Sequence, residues 1–100
     1  MFNPESWSFL EQIAPRYIWW KTPDDALRYP NRLIAQVMDI GTFEDIQILV
    51  RLLGEERLAG VLRHVEPGWL RPQSWAYWHY RLGLVEAKEP LPPEPQRKIA

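Results

Sequence analysis

PNRLIAQVMDIGTFEDIQILVRLLGEERLAGVLRHVEPG, residues 30–68, decides the fold. After Pro30 the apolar residues Leu33, Ile34, Val37 and Met38 recur on one helical face, and Gly41 ends the run. Thr42 then caps a second helix, with Asp45 three residues on as a variant of the capping box. Its stripe is Ile46, Leu49, Val50 and Leu53, and Gly54 closes it. Glu55 and Glu56 open a third helix with the stripe Leu58, Val61, Leu62 and Val65, ended by Pro67-Gly68. Turns this short force neighbouring helices to pack on one another at steep or antiparallel angles. Each stripe residue, fully buried, contributes roughly 1.5–3 kcal/mol. Gly60, inside the third helix, is expected to mark a close helix–helix approach.

Working outward, Asn3-Pro4-Glu5 is a helix start: a capping side chain, a proline at the first position and an acid in the first turn. That helix is predicted to run to about Ile13 and stop before Pro15, burying Trp7, Leu10 and Ile13. Arg16–Lys21 is a short aromatic run whose form, extended or an irregular turn, six residues do not decide. Thr22-Pro23-Asp24-Asp25 starts another, short helix. On the other side, Trp69–Leu84 holds Trp69, Trp75 and Trp78, half of the six tryptophans, with Tyr77, His79 and Tyr80 between them. Pro72 and Gly83 mark a helix whose inner face is Trp75, Trp78, His79 and Leu82. Beyond it, Pro90, Pro92, Pro93 and Pro95 favour an extended polyproline form that packs no core. No strand pattern appears. The expected architecture is an all-α small helical bundle over residues 1–84, with a mobile Pro-rich tail over residues 85–100.

Composition narrows the function. The 100 residues carry 46% apolar and 25% charged side chains, as an ordinary folded domain does, and no cysteine, so disulfides and thiolate metal sites are excluded. The apolar runs are too short for a membrane span, and MFNPESW lacks the pattern of a signal peptide. A cytoplasmic protein is expected. The net charge of −1 argues against binding dominated by phosphate neutralisation. Only residues 63–83, with Arg63, Arg71 and Arg81 against Glu66, are locally basic.

Chemistry of the enzymatic kind finds no footing. His64 and His79 lie on different helices without a ligand cluster, so no metal or other cofactor is expected. Ser6, Ser8 or Ser74 with Asp39 form no nucleophile elbow. Asp24-Asp25 and Glu55-Glu56 suit helix starts better than acid–base pairs. A binding module, not an enzyme, is the expectation.

The aromatic residues permit two readings. They are core, or at least three of Tyr17, Trp19, Trp20, Trp69, Trp75, Trp78 and Tyr80 form an exposed cluster. Burying six tryptophans and four tyrosines in one small domain is difficult, because each ring is large and its polar atom needs a partner. Aromatics edged by arginines, here Arg71 and Arg81, have the composition of interface hot spots. The same composition stacks on unpaired bases. The near-neutral charge favours a protein partner.

The run Tyr17–Trp20, the helix pair punctuated by Gly41 and Gly54, the Val61-Leu62 helix and the aromatic helix from Pro72 to Gly83 resemble a small family of bacterial proteins often encoded beside abortive-infection-type nucleotidyltransferase toxins. The resemblance covers about residues 16–84. It implies an antitoxin that neutralises a toxin enzyme from the same operon by direct complex formation, and that also represses its own operon. In that scheme the aromatic helix docks first and the tail, with Pro92, Pro93 and Arg97, extends over the toxin. Two alternatives remain: a helix-turn-helix-like DNA- or RNA-binding regulator using Arg71, Gln73, Ser74 and Tyr77, and a structural or adaptor subunit.

Overall fold

The computed structural model describes residues 3–86 and 88–96. Six helices and no strand occupy them: α1 (Pro4–Tyr17), α2 (Pro23–Leu27), α3 (Pro30–Ile40), α4 (Phe43–Leu53), α5 (Glu55–Arg63) and α6 (Pro72–Arg81). The chain is an all-α helical bundle. None of the described helices is long and apolar enough to cross a membrane.

Helix α3 is the axis of the bundle, in contact with every other helix. Leu33, Ile34, Val37 and Met38 are all buried, and so is Ala35 on the flank of the stripe. A helix surrounded on several sides buries more than one stripe. Gly41 ends it by close approach rather than by a left-handed turn, since its φ is −64°. A β-carbon there would meet the Val37 carbonyl oxygen and lie 2.9 Å from Val37 Cγ1. Gly54 and Gly83, by contrast, have φ of 83° and 68°, which L side chains rarely adopt. At Gly83 the Gly83 N–H reaches the Tyr80 carbonyl and the Leu84 N–H the His79 carbonyl, a Schellman closure of α6.

The first helix does not stop before Pro15. It continues through Pro15 to Tyr17, with Ile18 N–H still bonded to the Ala14 carbonyl at 2.9 Å. A proline inside a helix costs about 3 kcal/mol through its missing N–H and its ring. Burying both Tyr17 and Ile18 at the end of the helix offsets this, at roughly 1.5–3 kcal/mol each. Tyr17 adds hydrogen bonds: its hydroxyl donates to Asp45 Oδ2 at 2.6 Å and accepts from the Thr42 N–H at 3.2 Å. The capping box of α4 is thus completed from another helix. Thr42 Oγ1 accepts the Asp45 N–H as expected, but the reciprocal bond to the Thr42 N–H comes from Tyr17, and Asp45 turns to Tyr17 and Arg16.

One further expectation is corrected. Gly60 marks no close approach, since a β-carbon there would have nothing within 4 Å. Its carbonyl instead accepts from the His64 ring at 2.8 Å, on an open side of α5. In the Pro-rich tail, one described residue is tied to the domain: the Trp75 indole N–H donates to the Pro92 carbonyl at 2.8 Å. An extended proline segment has no internal hydrogen bonds, so its carbonyls are available to a nearly buried indole that needs an acceptor. Every buried side-chain nitrogen and oxygen among the described residues has a partner.

Candidate functional site

The tryptophans separate into two sets. Trp75 and Trp78 face inward from α6 and are 8% and 0% exposed, with the Trp78 indole N–H donating to the Met38 carbonyl at 2.8 Å. Tyr17 is buried as well. These three residues offer no docking surface, which corrects the expectation for each. Their positions on helical faces turned toward α3 and α4 give the rings neighbours and their polar atoms acceptors.

Trp19 and Trp20 behave oppositely. Ile18 is the last buried residue of the α1 end, and the Lys21 N–H bonds the Ile18 carbonyl at 3.2 Å to make a tight turn. Both indoles project from that turn, 68% and 50% exposed, and meet edge to face at 4.8 Å. Trp20 also faces Arg32, from the first turn of α3, whose guanidinium carbon lies 6.0 Å from its ring centroid and 5.3 Å from that of Trp69. Trp69 is half-buried on the α5–α6 loop. Arg32 Nη1 donates to Gln36 Oε1 at 3.0 Å, so the guanidinium is held between two indoles and a fixed amide. Burial lowers its pKa, against the opposing charges of Asp39 and Glu66. An arginine stays protonated regardless.

Beside this cluster lies a groove of about 620 Å³. Lys21, Arg28 and Arg32 supply its positive charge, Tyr29 and Trp69 its ring surfaces, and Glu66 one carboxylate; Pro30, Asn31 and His64 complete the wall. The Lys21 ammonium sits 5.4 Å from the Tyr29 ring centroid. This assembly has almost no signature in the sequence. Its cations fall within residues 1–62, where acids outnumber bases, and the groove joins a corner at residues 21–32 to a loop at residues 64–69. The spacing of Arg28 and Arg32 across Pro30 was the one local signal.

The basic stretch at residues 63–83 does not form a patch. Arg71 is committed to Asp39: its backbone N–H and Nε both donate to Asp39 Oδ1 at 3.1 Å, and Nη2 donates to the Asp39 carbonyl at 2.7 Å. Ser74 Oγ donates to the same carbonyl at 3.3 Å. Burial works against ionisation of Asp39, but hydrogen bonds from Ser74 and Arg71 and the arginine charge outweigh it, leaving its pKa below the ordinary carboxylate value. Arg81 lies over the Trp78 and Tyr77 rings and donates to the Tyr77 hydroxyl at 2.9 Å. Tyr80, 45% exposed, and Tyr77 form the outer side of α6. Of the tail residues, Pro92 is tied to Trp75, Pro93 is exposed, and Arg97 lies outside the described residues.

The histidines stay apart. His79 Nδ1 bonds the Trp75 carbonyl at 2.7 Å, and His64 turns back on its own helix. No group of three or more metal-ligating side chains occurs among the described residues. Comparison of the chain with family models, curated proteins and solved structures gave no match.

Proposed function

We propose that this chain is an antitoxin-type docking module that neutralises a toxin enzyme, of the nucleotidyltransferase kind, by forming a complex with it in the cytoplasm. The observation that carries the reading is the exposed Trp19–Trp20 pair, continued through Arg32 to Trp69. Two adjacent indoles left in water forgo several kcal/mol of burial that the fold does not recover elsewhere. Trp and Arg side chains gathered at one place are the usual anchors of protein interfaces. The docking surface is therefore the corner after α1 rather than the inner face of α6. Tyr80 and Arg81 form a secondary surface, and the tail beyond Pro92 a third contact that raises the effective concentration of the others. Repression of its own operon belongs to the same proposal.

The helix-turn-helix alternative has less support. Arg71 and Ser74, two of the side chains it would present to a groove, are spent on Asp39.

Co-purification with the product of the adjoining gene tests the proposal. The double variant Trp19→Ala/Trp20→Ala is expected to weaken the complex by at least thirtyfold, in line with about 2 kcal/mol or more for an interface hot spot. Retained affinity would remove this corner from the interface. Truncation after Leu84 is expected to weaken the complex less, by removing the tail alone.

A further inference from the structure

The groove beside the docking corner has a composition that protein docking does not require. Three cations and one carboxylate line it, a local charge of +2 on a chain of net −1. Lys21 and Arg32 rest against rings, but no close ion pair neutralises the three cations among the described residues. Lys21 makes no ion pair among the described residues, and Arg28 has only a loose 3.8 Å contact with Asp25. Arg32 bonds a neutral amide and is held between rings, so the rest of its donor fork is fixed in direction before any ligand arrives. Fixed guanidinium donors with a nearby ammonium match phosphate oxygens. Trp69 and Tyr29 provide flat surfaces on which an aromatic base stacks.

Glu66 decides between occupants. An acidic peptide or a bare oxyanion gains nothing from a carboxylate in the wall and is repelled by it. Sugar hydroxyls and the amino groups of a base donate hydrogen bonds, and a carboxylate accepts them. Asn31 and the ring of His64 add further polar atoms on the same wall. His64 uses Nδ1 on the Gly60 carbonyl, which leaves its Nε2 without a hydrogen-bond role among the described residues. The volume of about 620 Å³ falls within the roughly 300–1,000 Å³ of small-ligand pockets. Three cations suit two or three phosphates, too few for a duplex backbone.

We propose that the groove formed by Lys21, Arg28, Tyr29, Arg32, Glu66 and Trp69 binds a nucleoside phosphate, with its phosphates on the cations, its base against Trp69 or Tyr29, and its hydroxyl or amino groups on Glu66. The ligand is either a free nucleotide or the 5′-phosphorylated end of a strand. This site adjoins the Trp19–Trp20 docking surface, and Arg32 and Trp69 are common to both.

The test titrates the full chain with ADP, GDP, CDP and UDP by calorimetry, with tryptophan fluorescence as a second signal. At least one nucleoside diphosphate is expected to bind in the micromolar range. Its nucleoside alone and inorganic pyrophosphate are each expected to bind at least tenfold more weakly. The variant Lys21→Glu/Arg28→Glu is expected to lose at least tenfold in affinity, while Arg63→Glu, a charge reversal outside the groove, leaves binding unchanged. Circular dichroism confirms that both variants are folded. A 5′-phosphorylated tetranucleotide that binds tighter than the mononucleotide assigns the strand end; equal or weaker binding assigns the free nucleotide. The proposal is overturned by no binding at 1 mM of any of the four, by pyrophosphate binding as tightly as the nucleotide, or by an Asp/Glu-rich peptide binding tighter than all of them. Equal loss in Arg63→Glu and the groove variant also overturns it. None of these outcomes depends on the toxin complex, so the two proposals fail separately.

Discussion

Trp78 and Trp19 are the same residue type in one small domain, and the fold treats them as opposites. Trp78 is seated on α3 with its N–H on a backbone carbonyl, whereas Trp19 stands in water beside Trp20. The difference comes from what precedes each. Trp78 follows Trp75 at helical spacing on a face that α3 covers, so its orientation is set by periodicity. Trp19 and Trp20 follow the end of a helix, in a turn where Ile18 takes the inward position. Counting aromatics estimates how many rings compete for the interior; the spacing of a ring within its element decides which of them win.

The largest expected effect sharpens that contrast. Trp78→Ala is expected to destabilise the chain by about 3–5 kcal/mol in urea denaturation, from the cavity and the unpaired Met38 carbonyl. Against a total stability of roughly 5–15 kcal/mol, such a variant is near the limit of folding. Next comes the tie between α6 and α3. Asp39→Ala is expected to cost about 2–3 kcal/mol, since the bonds from the Arg71 N–H and Nε to the carboxylate are lost and Arg71 keeps only its bond to the backbone carbonyl of residue 39. Because the folded pKa of Asp39 lies below its ordinary value near 3.8, its contribution is fully present above that pH and fades as pH falls through the folded value. Acid titration of stability should therefore be shallower in Asp39→Asn than in the native chain.

Tyr17→Phe is expected to cost about 1–3 kcal/mol, by leaving Asp45 Oδ2 and the Thr42 N–H without the hydroxyl. Burial first, then the bond to Asp45, raises the Tyr17 pKa above 10.0. The neutral phenol is the form the fold favours, so this contribution is intact below pH 10 and disappears as pH rises through the folded value. Tyr17→Phe should flatten the alkaline limb of the stability profile. The smallest effect is at the exposed pair. Trp19→Ala is expected to change stability by no more than about 0.5 kcal/mol. A loss comparable to that of Trp78→Ala would break the comparison and make the corner structural.

Much of the bundle could be read from residues alone because its signals are local. Asn3, Thr22 and Thr42 each cap the helix that follows, and Gly54 and Gly83 take the left-handed conformations their positions imply. The misreadings occur where a distant contact overrides a local rule. Pro15 lies within a helix because Tyr17 is held by Asp45, 28 positions away. The bond from Trp75 to Pro92, 17 positions away, is another such distant contact. Of the candidate surface, Trp19 and Trp20 stood in the sequence only among seven aromatic residues that could be core or exposed; the structure exposes them because they fall in a turn too short to hide both rings. The groove was not legible. Lys21 and Arg28 share a segment rich in acids, and Glu66 and Trp69 reach them only after α4 and α5 have folded back over α3.

The hydroxyl that Tyr17 places on the Thr42 amide makes the start of α4 conditional on α1. With that amide engaged from outside its own helix, its exchange with solvent deuterium requires the first helix to lift away, so fraying of α4 alone leaves it protected. A single backbone proton thus keeps watch over whether the two ends of the domain's first half are still joined.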